Sequence, residues 1–188
     1  MCVAERRGLA RSRLRGFTLV ELMVTVAVLA IVMALALPSF ATLIRSSRLT
    51  STANELVASL QATRSEAIRL NGGVSLCRSD DGNACASGGN WNRVLTVARD
   101  GTVLRVSTLR TGLSVSSAVL DALDDKLTFG ADGIARDSSG APLTMDITVC
   151  MPVTSPSDNV RTVSMTGGSR VSTKPESSGG KCSTQPAP

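Results

Sequence analysis

One carboxylate, Glu21, stands inside FTLVELMVTVAVLAIVMALAL, the run from Phe17 to Leu37 that is otherwise uncharged. A carboxylate costs about 2.5–3.5 kcal/mol at mid-bilayer and less near an end, so a retained acid in such a run marks a pairing or functional position. Four of the five cysteines, Cys77, Cys85, Cys150 and Cys182, form an even set in the polar remainder, which an oxidising compartment allows. Four cysteines permit three pairings. Histidine is absent, which removes Ser-His-Asp and Cys-His catalysis and every metal site that needs an imidazole. Asp80, Asp81 and Asn83 could offer oxygens to calcium, but the loop length and terminal glutamate of an EF-hand are missing, and the segment reads as a solvated acidic loop. Asp121, Asp124 and Asp125 read as a charged surface turn, with no nucleophile or base beside them. No enzyme, cofactor or metal is expected.

These residues need elements to hold them. At about 1.5 Å per residue the apolar run covers roughly 30 Å, enough to cross a bilayer. Arg6, Arg7, Arg11, Arg13 and Arg15 precede it, so the positive-inside rule keeps the N-terminus cytoplasmic and sends the rest across. With Glu5 they account for four of the five net positive charges. The high pI therefore belongs to the N-terminus, and the body is nearly neutral. Beyond Pro38, Leu49, Ala53, Leu56, Leu60 and Ala67 recur on one helical face, with Arg45, Arg48, Glu55, Ser59, Glu66 and Arg69 on others. That helix should close at Asn71-Gly72-Gly73, where a glycine can turn left-handed. Strands are expected at 74–78, 92–99, 102–108, 126–129, 143–151 and 160–172, with loops at 79–91 and 152–159. The fold class is α+β: a long N-terminal helix, transmembrane over 17–37 and amphipathic over 38–71, packed on a small antiparallel β-sheet domain over 72–173, with a tail over 174–188.

Three readings of the N-terminus compete. Ala34-Leu35-Ala36 fits a secretory signal peptide cut before Leu37, and the run fits a plain signal anchor with a tolerated acid. The third begins at Arg15-Gly16-Phe17-Thr18-Leu19-Val20-Glu21, which closely resembles the processing site of type IV prepilins and pseudopilins. The resemblance implies that a prepilin peptidase cuts after Gly16, ending a leader of residues 1–16, and that Phe17 becomes the N-methylated first residue. It further implies that Glu21 faces the N-terminal ammonium of a neighbouring subunit, offsetting the desolvation of both groups. Pro38 resembles the helix-interrupting proline of pilins, and a simple membrane exit explains it equally well.

Within that group the chain is similar to the GspH/FimT family of minor pilins. Leu60-Gln61-Ala62-Thr63-Arg64-Ser65-Glu66-Ala67-Ile68 with Asn71, Val74-Ser75-Leu76-Cys77 through Cys85 to Trp91, and Leu127-Thr128-Phe129 leading to Asp132-Gly133 carry the likeness. Where the family continues after Trp91 with an aromatic strand, this chain has Asn92-Arg93-Val94-Leu95. Spacing and resemblance together favour Cys77 with Cys85 and Cys150 with Cys182. The implied function is that of a minor type IV pilin near a pilus tip that helps start assembly. A minor pseudopilin of a type II secretion system is the runner-up, and a DNA receptor for natural transformation or a soluble secreted binding domain stands further off. The implied partners are the prepilin peptidase, other major and minor pilins or pseudopilins, and inner-membrane lipid. The implied location is a single-pass inner-membrane anchor with the domain in the periplasm, and afterwards the pilus. DNA ranks last among the partners. Relatives that bind it share a Gly-Arg-x-Arg motif, of which Gly168-Ser169-Arg170-Val171-Ser172 keeps one arginine. Arg161, Arg170, Lys174 and Lys181 together would give a salt slope of only about −3.6.

Overall fold

The computed structural model describes residues 16–182, so most of the expected leader and the end of the tail lie outside the described residues. Two compact units meet in sequence at Phe40 and Ala41. A first helix, α1 (Leu19–Arg69), begins with Thr18, whose Oγ1 accepts from the Glu21 N–H at 3.2 Å. A threonine three residues ahead of a glutamate is a helix-start pattern. Pro38 lies within α1. The helix closes in a Schellman arrangement: Gly72 N–H donates to Ala67 O and Asn71 N–H to Ile68 O. The left-handed residue is Asn71, at φ 47°, and not a glycine as expected.

In the second unit α1 lies against two antiparallel sheets. One has the order β3-β2-β1-β5, built from β1 (Val74–Ser79), β2 (Arg93–Ala98), β3 (Val103–Thr108) and β5 (Lys126–Phe129). The other has the order β4-β6-β7-β8, built from β4 (Ser114–Ser116), β6 (Met145–Cys150), β7 (Val160–Thr166) and β8 (Arg170–Glu176). Leu49, Ala53, Leu56, Leu60 and Ala67 are all buried, as their spacing predicts, against Leu76, Val94, Phe129, Ile147 and Met165. Ser59 is the exception to the helical reading. It shares the buried face, where its hydroxyl donates to Ser107 Oγ at 3.3 Å, and Thr63 Oγ1 meets Thr96 Oγ1 at 3.0 Å. Short hydroxyls replace apolar side chains here because each finds a partner in the sheet, which removes the penalty of burying it.

The expected strand over 160–172 is instead a hairpin. Gly167 and Gly168, at φ 59° and 71°, turn the chain between β7 and β8, and β8 runs on through Lys174 to Glu176. The tail therefore starts later than expected. Pro175 is tolerated because β8 is an edge strand. Strand β4 and a single helical turn, α2 (Ala118–Asp121) capped by Ser117, were not expected, since elements of three and four residues carry no readable period.

The two turn glycines are not equivalent. A Cβ on Gly168 would stand 2.3 Å from Ala135 O, while one on Gly167 would meet nothing. Gly168→Ala is expected to destabilise by ~3 kcal/mol and Gly167→Ala by ~1 kcal/mol, read from urea midpoints.

Candidate functional site

Every Leu, Ile, Val, Met and Phe from Phe17 to Leu37 is more than half exposed. Fourteen such side chains represent on the order of 20–40 kcal/mol of transfer out of water, far more than Glu21 opposes. This stretch therefore belongs in a bilayer or against other helices. Gly16 and Phe17 precede α1 in non-helical backbone, and among the described residues nothing comes within 4 Å of a Cβ built on Gly16. Among the described residues the Glu21 carboxylate has no ion-pair partner.

Two disulfides are present, Cys77 to Cys85 and Cys150 to Cys182. The first ties the end of β1 to the middle of the 79–91 loop and encloses residues 78–84. The second fastens the tail to the end of β6, helped by Asn159, which is fully buried. Its Nδ2 donates to Met151 O and to Ser178 Oγ, and its Oδ1 accepts from Ser178 N–H.

A buried charge organises the first loop. Arg78 and Asp125 are both nearly inaccessible, with Arg78 Nε 4.0 Å from Asp125 Oδ2. Asp125 accepts from Gly88 N–H at 2.7 Å and from Trp91 Nε1–H at 3.2 Å, while the Arg78 guanidinium donates to Ser87 O and to the Asp80 carboxylate. The expected surface turn at 121–125 is thus corrected at Asp125, which is a buried acceptor. Its partners lie 34 and 37 residues away, so no local pattern could reveal it. Burial raises the Asp121 carboxyl, aided by the nearby charge of Asp125. Asp125→Ala leaves the Gly88 and Trp91 donors without an acceptor and takes a buried anion from beside Arg78, which keeps Asp80 and Ser87 O, and is expected to destabilise by about 2–3 kcal/mol, again as a lower urea midpoint.

Asp80 and Asp81 remain exposed at the loop's tip, as the sequence suggests. The Asp81 carboxyl is lowered to about 2 by the N–H groups of Asn83 and Ala84, and hydrogen bonding from Arg78 lowers that of Asp80.

The four basic candidates for DNA do not form one surface. Arg161 is buried; its guanidinium donates to Asp158 O, Val160 O, Ser46 Oγ and Thr50 Oγ1, tying β7 to α1. Lys174 pairs with Glu176 at 3.3 Å. Arg170 and Lys174 share a face of β8, and Lys181 sits beside the second disulfide, so Arg161 drops out of any phosphate footprint.

Comparison with known proteins places these features. A family model described as type II transport protein GspH matches residues 52–169, and one described as a prokaryotic N-terminal methylation motif matches residues 11–37. No curated protein sequence matches the chain significantly. Two crystal forms of the type IV minor pilin FimU of Pseudomonas aeruginosa strain PAO1 are similar in structure. The first has 25% identity and a TM-score of 0.50 and covers 68% of this chain and 93% of FimU. The second has 24% identity and a TM-score of 0.52 and covers 69% and 90%.

Proposed function

From a chain that belongs to the GspH family of minor pilins and pseudopilins and carries an N-terminal methylation motif, we propose a subunit that helps initiate a type IV pilus and is built in at or near its tip. The apolar helix anchors the chain in the inner membrane with the domain outside, before the pilus takes it up. A prepilin peptidase removes the residues up to Gly16 and methylates Phe17, and the new ammonium meets Glu21 of a neighbouring pilin. The work is assembly and not catalysis. One observation carries the reading: an exposed apolar stretch, residues 17–37, whose single acid, Glu21, has no ion-pair partner among the described residues. A cation supplied by another subunit would offset the desolvation of that acid.

The description of the matching family favours a second reading, a minor pseudopilin of a type II secretion system. Deleting the gene separates the two. Loss of surface pili with secretion intact supports the pilus, and loss of protein secretion with pili intact supports the pseudopilin.

A further inference from the structure

We propose that Arg64 and Ile68, near the end of α1, receive a carboxylate-bearing segment of a different pilin, one assembled into the filament before this subunit. This rests on the filament reading, because it needs such a neighbour. Arg64 is half-buried, and its Nε is fully buried with no acceptor among the described residues. The side chain takes part in none of the ion pairs found among those residues. Partial burial of a cation with a donor left unmatched opposes folding, and a carboxylate supplied from outside removes that cost. The acids close by are already engaged. Glu66 pairs with Arg69 at 2.7 Å, and the Asp132 carboxylate pairs with Arg136 and accepts from Ile134 N–H at 3.1 Å.

Arg64 and Ile68 stand one helical turn apart, and both lie over the turn at 130–134. A Cβ on Gly133, at φ 71°, would be 3.1 Å from Arg64 Nε and 2.8 Å from Ile68 Cδ1. The bare glycine lets both side chains settle on the turn, and that packing holds the arginine stem before any partner arrives. Ordering a long side chain on contact is a main cost of association, and part of it is met here in the free subunit.

The surroundings fit a protein partner. Among the described Leu, Ile, Val, Met, Phe and Trp side chains after Ile44, only Ile68, Leu70 and Val106 are exposed, Ile68 at 50% and Leu70 at 42%. Two of these three therefore belong to the end of α1 that carries the unpaired cation. An arginine bordered by apolar side chains is the composition of an interface centre, where loss of water strengthens a forked pair with a carboxylate. A phosphate polymer would use neither aliphatic side chain, and one cation gives it a salt slope of only about −0.9.

Position selects the neighbour. Arg64 lies roughly 35 Å along α1 from Ala41, where the second unit begins, so the patch is at the far end of the helix from the entry of the chain into that unit. A subunit fed into a filament from the membrane finds the earlier ones ahead of that end. Near a tip the earlier subunit is a pilin of another kind, so the contact joins unlike chains and does not repeat along the axis.

The test places an amine where the guanidinium was. Cells producing the full chain with Arg64→Lys are separated into membranes and sheared filaments, and each fraction is treated with a zero-length carbodiimide, which joins an amine to a carboxylate in direct contact. The expected product in filaments is a peptide linking position 64 to an Asp or Glu of a different pilin, absent from the unsubstituted chain because arginine does not react. A link to Asp132 or Glu66 of the same chain, a link to a second copy, or no link in filaments that contain the variant overturns the contact and leaves the filament reading standing. A link to a different pilin-like chain in membranes, with this chain absent from filaments, supports the contact and removes the pilus reading. Absence of both the link and the chain from filaments overturns both. Arg64→Met separates the role from a structural one, because it deletes the charge and keeps a long side chain over Gly133. The urea midpoint of the full chain in detergent is expected to stay the same or rise, while incorporation into filaments falls about tenfold. Normal incorporation of this variant, at whatever midpoint, overturns the proposal.

Discussion

Replacing Glu21 with alanine is expected to leave chain level and membrane insertion unchanged while incorporation into filaments falls on the order of a hundredfold. The change removes the one charge from the span and so eases insertion, by at most about 2.5–3.5 kcal/mol. The loss appears only on assembly, when the methylated N-terminus of a neighbour is drawn among apolar helices without its counter-ion. Breaking a buried ion pair from one side costs about 3–5 kcal/mol, and each 1.4 kcal/mol is tenfold in an equilibrium. Quantitative blotting of membranes and of sheared filaments separates the two steps. Wild-type incorporation of the variant would remove the pairing role.

Substituting Gly16 by valine is expected to stop processing almost completely, so that the chain accumulates in the membrane with its leader attached and fails to enter filaments. Glycine lets the backbone pass extended through a narrow cleft, and a β-branched side chain at the scissile position obstructs that approach. The uncut chain also keeps five arginines ahead of Phe17, which hold that end in the cytoplasm and leave no free ammonium for Glu21. Gly16→Ala, adding one methyl group, should retain part of the cutting. Intact-mass analysis of membrane fractions distinguishes the forms, and efficient cutting of the valine variant would contradict the assignment.

The parts of this fold that were legible in the sequence are those governed by local periodicity. The buried stripe from Leu49 to Ala67 declares itself because five apolar residues repeat at helical spacing, and the alternation along 143–149 gives the core face of β6 for the same reason. Polar residues on core faces were misread. Ser59 looks like a surface position until its partner Ser107 is brought up from the sheet. Arg161 looked like a free cation, yet its guanidinium is consumed by Ser46, Thr50 and the 158–160 backbone. Asp125 is the sharpest case, because its value as an acceptor depends on Gly88 and Trp91, which tertiary folding alone brings to it. At the candidate site the situation reverses. The roles proposed for Gly16, Phe17 and Glu21 come from sequence alone, because they depend on order along the chain and on a membrane, not on tertiary contacts.

The account stands most directly on the N-terminal peptide of this chain recovered from sheared surface filaments and read by tandem mass spectrometry. The expected peptide begins at Phe17, carries one methyl group on its α-nitrogen, and is found in the filament fraction together with other pilins. A chain that instead begins at Leu37 and is recovered as soluble protein would contradict the account, since the segment bearing Glu21 would have been discarded and no filament could be built on it.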